Sequence, residues 1–234
     1  MSTATAALRQ AVFEANQALV ASGLVIETFG NVSGVDREAG LFVIKPSGVP
    51  YDRMTPADLV PVSLATGQVL EGDLRPSTDA PTHLELYRAF RCGGVAHTHS
   101  PYATAFAQGG RHLACMGTTH ADYFRGDVPV TRPLTQAEVE GDYEAQTGRV
   151  IAETFRILRL SPFEVPGVLV AHHGPFTWGE NAFAAVEHAR ILEHLARIES
   201  IRISVAPDAL HPADYLVDRH YRRKHGADAY YGQP

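Results

Sequence analysis

The chain has 234 residues, 45% hydrophobic and 20% charged, with a net charge of −6. That balance excludes wholesale disorder and leaves enough apolar surface for one ordinary core. An acidic chain is also not built as a general nucleic-acid or membrane-surface binder. No apolar run approaches the ~20 residues that cross a bilayer. The opening MSTATAALRQ lacks the basic-then-apolar layout of a secretory signal, so a cytoplasmic location is expected. Cys92 and Cys115 show no paired spacing, which excludes a disulfide framework and fits a reducing compartment. The unusual count is 12 histidines.

No repeat, low-complexity tract or linker divides the chain, so residues 1–234 read as a single domain. Residues 6–22 carry Leu8, Val12, Ala15, Leu19 and Val20 on one helical face, with Gly23 as the stop. Three β-rich runs follow at 24–36, 40–49 and 59–70, broken by glycines in the manner of hairpins. A helix is expected over 77–90, capped by Ser77, Thr78 and Asp79 with Pro81 in its first turn. GGVAHTHS (93–100) reads as a short buried strand, and Ser100-Pro101 opens a helix through Gln108. DVPVTRPL (127–134) looks extended. Thr135 and Glu138 match a capping box and start a helix to about Leu158. GVLVAHHGPF (167–176) reads as a second histidine-bearing strand, followed by helices over 180–204 and 208–225. The pattern predicts an α/β protein: one layered domain with a central, mostly antiparallel sheet flanked by helices.

His97 and His99 stand two apart in an expected strand, where period two puts both rings on one face. His172 and His173 arrive on the second strand just before Gly174-Pro175, and either completes a set of three. Asp79, at the mouth of its helix, offers a carboxylate for a fourth position. Structural zinc sites are usually closed and rich in cysteine, so an all-His/Asp set fits a catalytic metal better. His83, His112, His188 and His194 have no partner pattern and read as packing or surface residues. Three further runs, GNVSG (30–34), KPSGV (45–49) and Ser77-Thr78, have the chemistry of an anion cradle. Glycine permits close backbone approach, the hydroxyls donate, and Lys45 adds charge. None is a Walker loop or a G-x-G-x-x-G, so no nucleotide is implied.

Together the runs GNVSGVDRE (30–38), FVIKPSGV (42–49), PSTDAPTH (76–83), HTHS (97–100), GTTHADYF (117–124), PGVLVAHHGPFTWG (166–179) and HYRRKHGADAYYGQ (220–233) resemble the class II aldolase/epimerase superfamily. Within it, GTTHADYF and KHGADAYYGQ are similar to the L-ribulose-5-phosphate 4-epimerase branch. The resemblance implies a class II aldolase-like fold and one divalent metal per subunit on Asp79, His97, His99 and His173. Zinc suits those ligands, with Mn²⁺ or Co²⁺ as substitutes. It implies a phosphate site at Asn31, Lys45, Ser47, Gly48, Ser77 and Thr78, and an acid/base pair of Asp122 and Tyr231. Thr118, Glu144, His220 and Arg223 would be supporting residues. The chain departs from the family pattern in two places: Ala171-His172-His173 stands where a serine separates two histidines before the Gly-Pro-Phe run, and Thr78 stands where a serine is usual but keeps the hydroxyl.

The activity implied is interconversion of L-ribulose 5-phosphate and D-xylulose 5-phosphate, an isomerase step of pentose phosphate metabolism such as L-arabinose catabolism. The assembly implied is a homotetramer with active sites between subunits, and neither nucleic acid nor membrane is an expected partner. The alternatives are a class II sugar-phosphate aldolase that releases its products, and a non-catalytic interaction module, which would tend to lose the metal histidines.

Overall fold

The computed structural model describes residues 3–226 and 229–231. Residues 1–2, 227–228 and 232–234, the last two groups including part of the HYRRKHGADAYYGQ run, lie outside the described residues. In chain order the elements are α1 (Thr3–Ala21), β1 (Asn31–Asp36), β2 (Leu41–Ile44), a 3₁₀ turn (Pro56–Asp58), β3 (Val60–Ser63), α2 (Ala80–Ala89) and β4 (Gly94–His97). Then come α3 (Pro101–Gln108), α4 (Thr118–Ala121), α5 (Gln136–Glu140), α6 (Tyr143–Leu158), β5 (Gly167–Leu169), β6 (Pro175–Gly179), α7 (Ala182–Val205) and α8 (Asp214–His225). The strands make one six-stranded sheet in the order β3-β2-β1-β4-β6-β5, with every pairing antiparallel. The expected layered single domain is therefore present.

Period-two alternation divides the core between the two faces of the sheet. Val32, Leu41, Val43 and Ala96 pack with Val12, Ala15 and Leu19 of α1 and with Ala182, Ala185 and Ala189 of α7. Their neighbours Phe42, Ile44, Val95, Phe176 and Trp178 face the other way, toward Leu84, Leu86 and Tyr87 of α2 and Ile151 and Phe155 of α6. Fully burying such a side chain contributes ~1.5–3 kcal/mol. Val43, Ile44, Val95 and Phe176 are all 0% exposed, so the central strands form a well-packed floor. Gly94 opens β4 where a Cβ would lie 2.4 Å from the backbone of Asn181 and Ala182. Only glycine lets the start of α7 come so close.

Several expected boundaries move. Residues 24–30 do not extend β1; the chain turns there, with Glu27 and Gly30 at φ of 54° and 84°. The single helix expected from 135 to 158 is two, because the chain leaves helical geometry at Gly141 (φ −92°, ψ −132°) just after the Thr135–Glu138 capping box. The 127–134 run makes only isolated bridges, Val128 to Leu113 and Val130 to Leu169. The expected strand 167–176 is a hairpin: β5 ends at Leu169 and β6 begins at Pro175, so both histidines lie in the turn. The last helix starts at Asp214 rather than 208, after Pro207 and Pro212, which disfavour helical geometry in the residue before them. His99 falls just beyond β4 rather than within it.

Candidate active site

The site begins as one row of the sheet. Asn31 pairs with His97, and His97 with Phe176, across β1, β4 and β6. The His97 ring stacks on Phe176 at 4.1 Å and 16°. Its Nδ1 donates to the Pro175 carbonyl at 2.9 Å, which leaves the Nε2 lone pair facing outward. His99 swings past the strand end, and its Nε2 lies 3.0 Å from His97 Nε2. His173 comes from the β5–β6 turn, with ring centroids 4.7 Å from His97 and 5.1 Å from His99. His172 makes that turn at φ 62°, its N–H bonded to the Ala107 carbonyl, and its side chain is exposed. Gly174 follows where a Cβ would lie 2.8 Å from the Thr98 carbonyl. The turn thus sends one histidine inward and its neighbour outward.

One nitrogen each from His97, His99 and His173 falls within 4.8 Å of the others. Two nitrogens held tetrahedrally on one zinc at ~2.0–2.1 Å are about 3.3 Å apart, close to the His97–His99 spacing. Burial lowers the His99 pKa, and it brings His173 down to about 4, the His97 ring adding to both shifts. Neutral rings with converging lone pairs are what a metal needs. The donor set therefore fits a divalent cation. Asp79 stands beside this trio rather than within it: its Oδ2 accepts from Asn31 Nδ2 at 2.6 Å. Burial pushes the Asp79 carboxyl up, but the fields of His97 and His83 and the Asn31 bond outweigh it and hold it ionised.

A cavity of about 390 Å³ opens above the trio, lined by Gly30, Asn31, Lys45, Ser47, Gly48, Ser77, Thr78, Asp79 and Glu144 among others. All six residues of the expected phosphate site are therefore brought together with the histidines. The cradle is smaller than the sequence runs suggested. Ser33 and Gly34 face away, Ser33 bonding His83 and Tyr87 while a Cβ on Gly34 would meet Val12 at 2.9 Å. Lys45 is 2% exposed. Its Nζ bonds the Pro46 carbonyl at 3.2 Å and sits 4.6 Å over the Tyr51 ring, with no carboxylate partner among the described residues. Burial lowers its pKa to about 8. A charged amine without a counter-ion makes the cavity receptive to an anion.

The remaining expected residues form a second cluster that does not line this cavity. Asp122, at the end of α4, accepts from Arg223 Nε at 2.8 Å and from His220 Nδ1 at 3.1 Å, and its carbonyl accepts from His225 at 2.9 Å. Burial raises the Asp122 carboxyl, yet the bonds from Arg223 and His220 prevail and hold it below the usual carboxylate range. Tyr231 is 58% exposed, with Arg223 4.7 Å and Lys224 4.5 Å from its ring centroid. Thr118 opens α4, and its carbonyl takes the Asp122 N–H at 3.0 Å.

Two site residues had no signal in the sequence. Tyr143, the first residue of α6, lines the cavity with its hydroxyl 3.4 Å from His173 Nδ1. Phe29 stacks on His99 at 5.8 Å. Of the four histidines read as packing or surface residues, His112 and His194 are exposed and His188 bonds the Trp178 carbonyl. His83 is wholly buried directly behind Asp79.

Comparison with known proteins places this geometry. A solved L-fuculose 1-phosphate aldolase is 24% identical, with a TM-score of 0.78 over 95% of this chain and 97% of that one. YgbL from Escherichia coli is also 24% identical, with a TM-score of 0.72 over 93% and 99%. The L-fuculose-1-phosphate aldolase of Thermus thermophilus is 27% identical, with a TM-score of 0.65 over 86% and 98%. These likenesses carry the fold. The profile of the class II aldolase and adducin N-terminal domain matches residues 10–200, and the chain belongs to that family.

Proposed function

We propose that the protein is a metal-dependent sugar-phosphate epimerase that interconverts L-ribulose 5-phosphate and D-xylulose 5-phosphate, working in the cytoplasm as a homotetramer. The observation that carries this reading is the separate Asp122 cluster. An aldolase needs a metal site, an anion cradle and one proton carrier. Inverting a carbinol carbon by breaking and remaking its bond needs a proton carrier on each face. Asp122 and Tyr231, gathered around Arg223 and apart from the histidine cavity, supply a pair.

The inverted centre, C4, lies two carbons from the C2 ketone, so its hydrogen is not acidified and simple deprotonation cannot invert it. Cleavage of C3–C4 can. One proton carrier takes the C4 hydroxyl proton, and the bond opens to the enediolate of dihydroxyacetone and glycolaldehyde phosphate. The aldehyde turns over, the bond re-forms from the same enediolate, and the second carrier returns a proton to the new hydroxyl. His97, His99, His173 and Asp79 would hold a divalent cation, zinc by preference for this donor set, which would supply several kcal/mol of oxyanion stabilisation. Lys45, Asn31, Ser47, Gly48, Ser77 and Thr78 grip the phosphate so the fragment turns without escaping. Glu144 and Tyr143 line the same cavity and would face the sugar rather than the phosphate.

Since the Asp122 cluster does not line the chain's own cavity, the reading requires a neighbouring subunit to bring it there. The sugar-phosphate aldolase reading stays as second, favoured by the 27% identity to the Thermus thermophilus enzyme. Incubation with L-ribulose 5-phosphate, with and without chelator, separates them. Chelator-sensitive formation of D-xylulose 5-phosphate is expected; free dihydroxyacetone without D-xylulose 5-phosphate would make the protein an aldolase.

A further inference from the structure

His83 poses a problem of cost. It is 0% exposed, burial pushes its pKa down to about 3, and its Nε2 has no hydrogen-bond partner. A leucine would fill such a space without stranding a polar atom. Its surroundings explain the choice.

β1 and α2 are joined by two side-chain rungs. Asn31 donates to Asp79 at 2.6 Å, and two residues on, Ser33 Oγ meets His83 Nδ1 at 2.7 Å. Two residues along a strand advance ~6.6–6.8 Å and four along a helix ~6 Å. The two spacings nearly match, so Asn31–Asp79 and Ser33–His83 lie side by side and clamp the first turn of α2 to the sheet. A third residue fixes the direction of the bonds. Tyr87 OH lies 2.6 Å from the same Ser33 Oγ and is 2% exposed. If Tyr87 donates to Ser33, and Ser33 to His83 Nδ1, both hydroxyl protons are used and only the His83 Nε2–H is left over. In the opposite direction the Tyr87 proton and the bare Nε2 lone pair are both stranded. The first arrangement strands fewer groups, and it keeps a ring N–H on a histidine that the Asp79 carboxylate's field reaches. The His83 ring also meets Phe176 edge-on at 6.1 Å, and Phe176 carries His97.

We propose that His83 is a positioning residue: the chain Tyr87→Ser33→His83 fixes its Nε2–H form, and the Ser33–His83 rung keeps Asp79 aimed at the three metal-binding histidines. This rests on the reading that Asp79 completes the metal site, but not on which sugar phosphate is the substrate.

The first test is spectroscopic. In protein with ¹⁵N-labelled histidine rings, the His83 signals are identified as those lost in His83→Asn. Nδ1 is expected as an unprotonated nitrogen and Nε2 as a protonated one; protonated Nδ1 overturns the assignment. The second test is chelator competition for zinc. His83→Asn and Ser33→Ala should each weaken zinc binding by ~10–100-fold, the usual cost of losing a residue that orients a ligand. In an Asp79→Asn background the same substitutions should add less than about 3-fold, because nothing remains for them to position. Ser33→Ala keeps the experiment decisive should His83→Asn fold poorly. Equal losses with and without Asp79 would show a general packing role and overturn the proposal, whatever the enzyme does to L-ribulose 5-phosphate.

Discussion

The structural role of Asp122 and its proposed proton transfer separate with pH. Its folded pKa lies below the value of ~3.9 expected in an unfolded chain. Such a group stabilises the fold at pH above that unfolded value, and its contribution disappears as the pH falls through the folded one. The stabilised feature is the docking of α8, since Arg223, His220 and His225 all reach Asp122 from it. Asp122→Asn should therefore lower the melting temperature at pH 7, and the gap to wild type should close as the pH drops below about 4. At pH 7 the variant should keep its metal and lose epimerisation by ~10²–10⁴-fold; near-normal turnover would remove Asp122 from the mechanism. The paired histidines give a sharper contrast. His173→Asn should empty the metal site, while His172→Ser, on the exposed side of the turn, should leave metal content unchanged by elemental analysis. The three inward histidines were legible from H-x-H and the HHGPF run. His83 was not, because i, i+4 on a helix becomes chemistry only when the facing strand is known.

At the scale of elements, alternation and glycine breaks located β1, β2 and β3, and cap residues located the starts of α2, α3 and α5. Glycines and prolines were harder to read, since the same residue can break a helix, turn a hairpin or admit a neighbour. Gly141 breaks one helix into α5 and α6, and Gly94 admits α7 against β4. Gly94→Ala tests the second role. The added methyl meets backbone, which cannot move aside like a side-chain end, so a loss of at least ~1–3 kcal/mol is expected in denaturant unfolding. Zinc affinity should fall with it, because β4 carries His97. An unchanged midpoint would mean that the β4–α7 junction is slack.

On the scale of the whole molecule, the fold and the histidine-lined cavity followed from runs of contiguous residues, whereas the relation between cavity and Asp122 cluster did not. Assembly is a property of surfaces, which leave little local pattern. A mixing experiment tests the proposed sharing of the site between subunits. His99→Asn and Asp122→Asn should each be nearly inactive alone. Co-assembled at equal amounts in a ring with head-to-tail contacts, roughly a quarter of the sites would receive both native halves. Recovery to about that fraction is expected, and no recovery would place every working group within one chain.

The buried amine of Lys45, which bonds no carboxylate among the described residues, should have an effect outside its proposed role in substrate binding. On the proposed reading, the Lys45 amine has no carboxylate bonded to it until an anion enters, so free phosphate should compete with substrate and also prop up the fold. Inorganic phosphate at 100 times its dissociation constant would add ~2.7 kcal/mol of stability through binding alone. The protein should thus melt later but turn over more slowly in phosphate buffer than in a buffer with a bulky zwitterion, and Lys45→Met should blunt both differences. The solution in which such an enzyme is stored would then be one of its inhibitors.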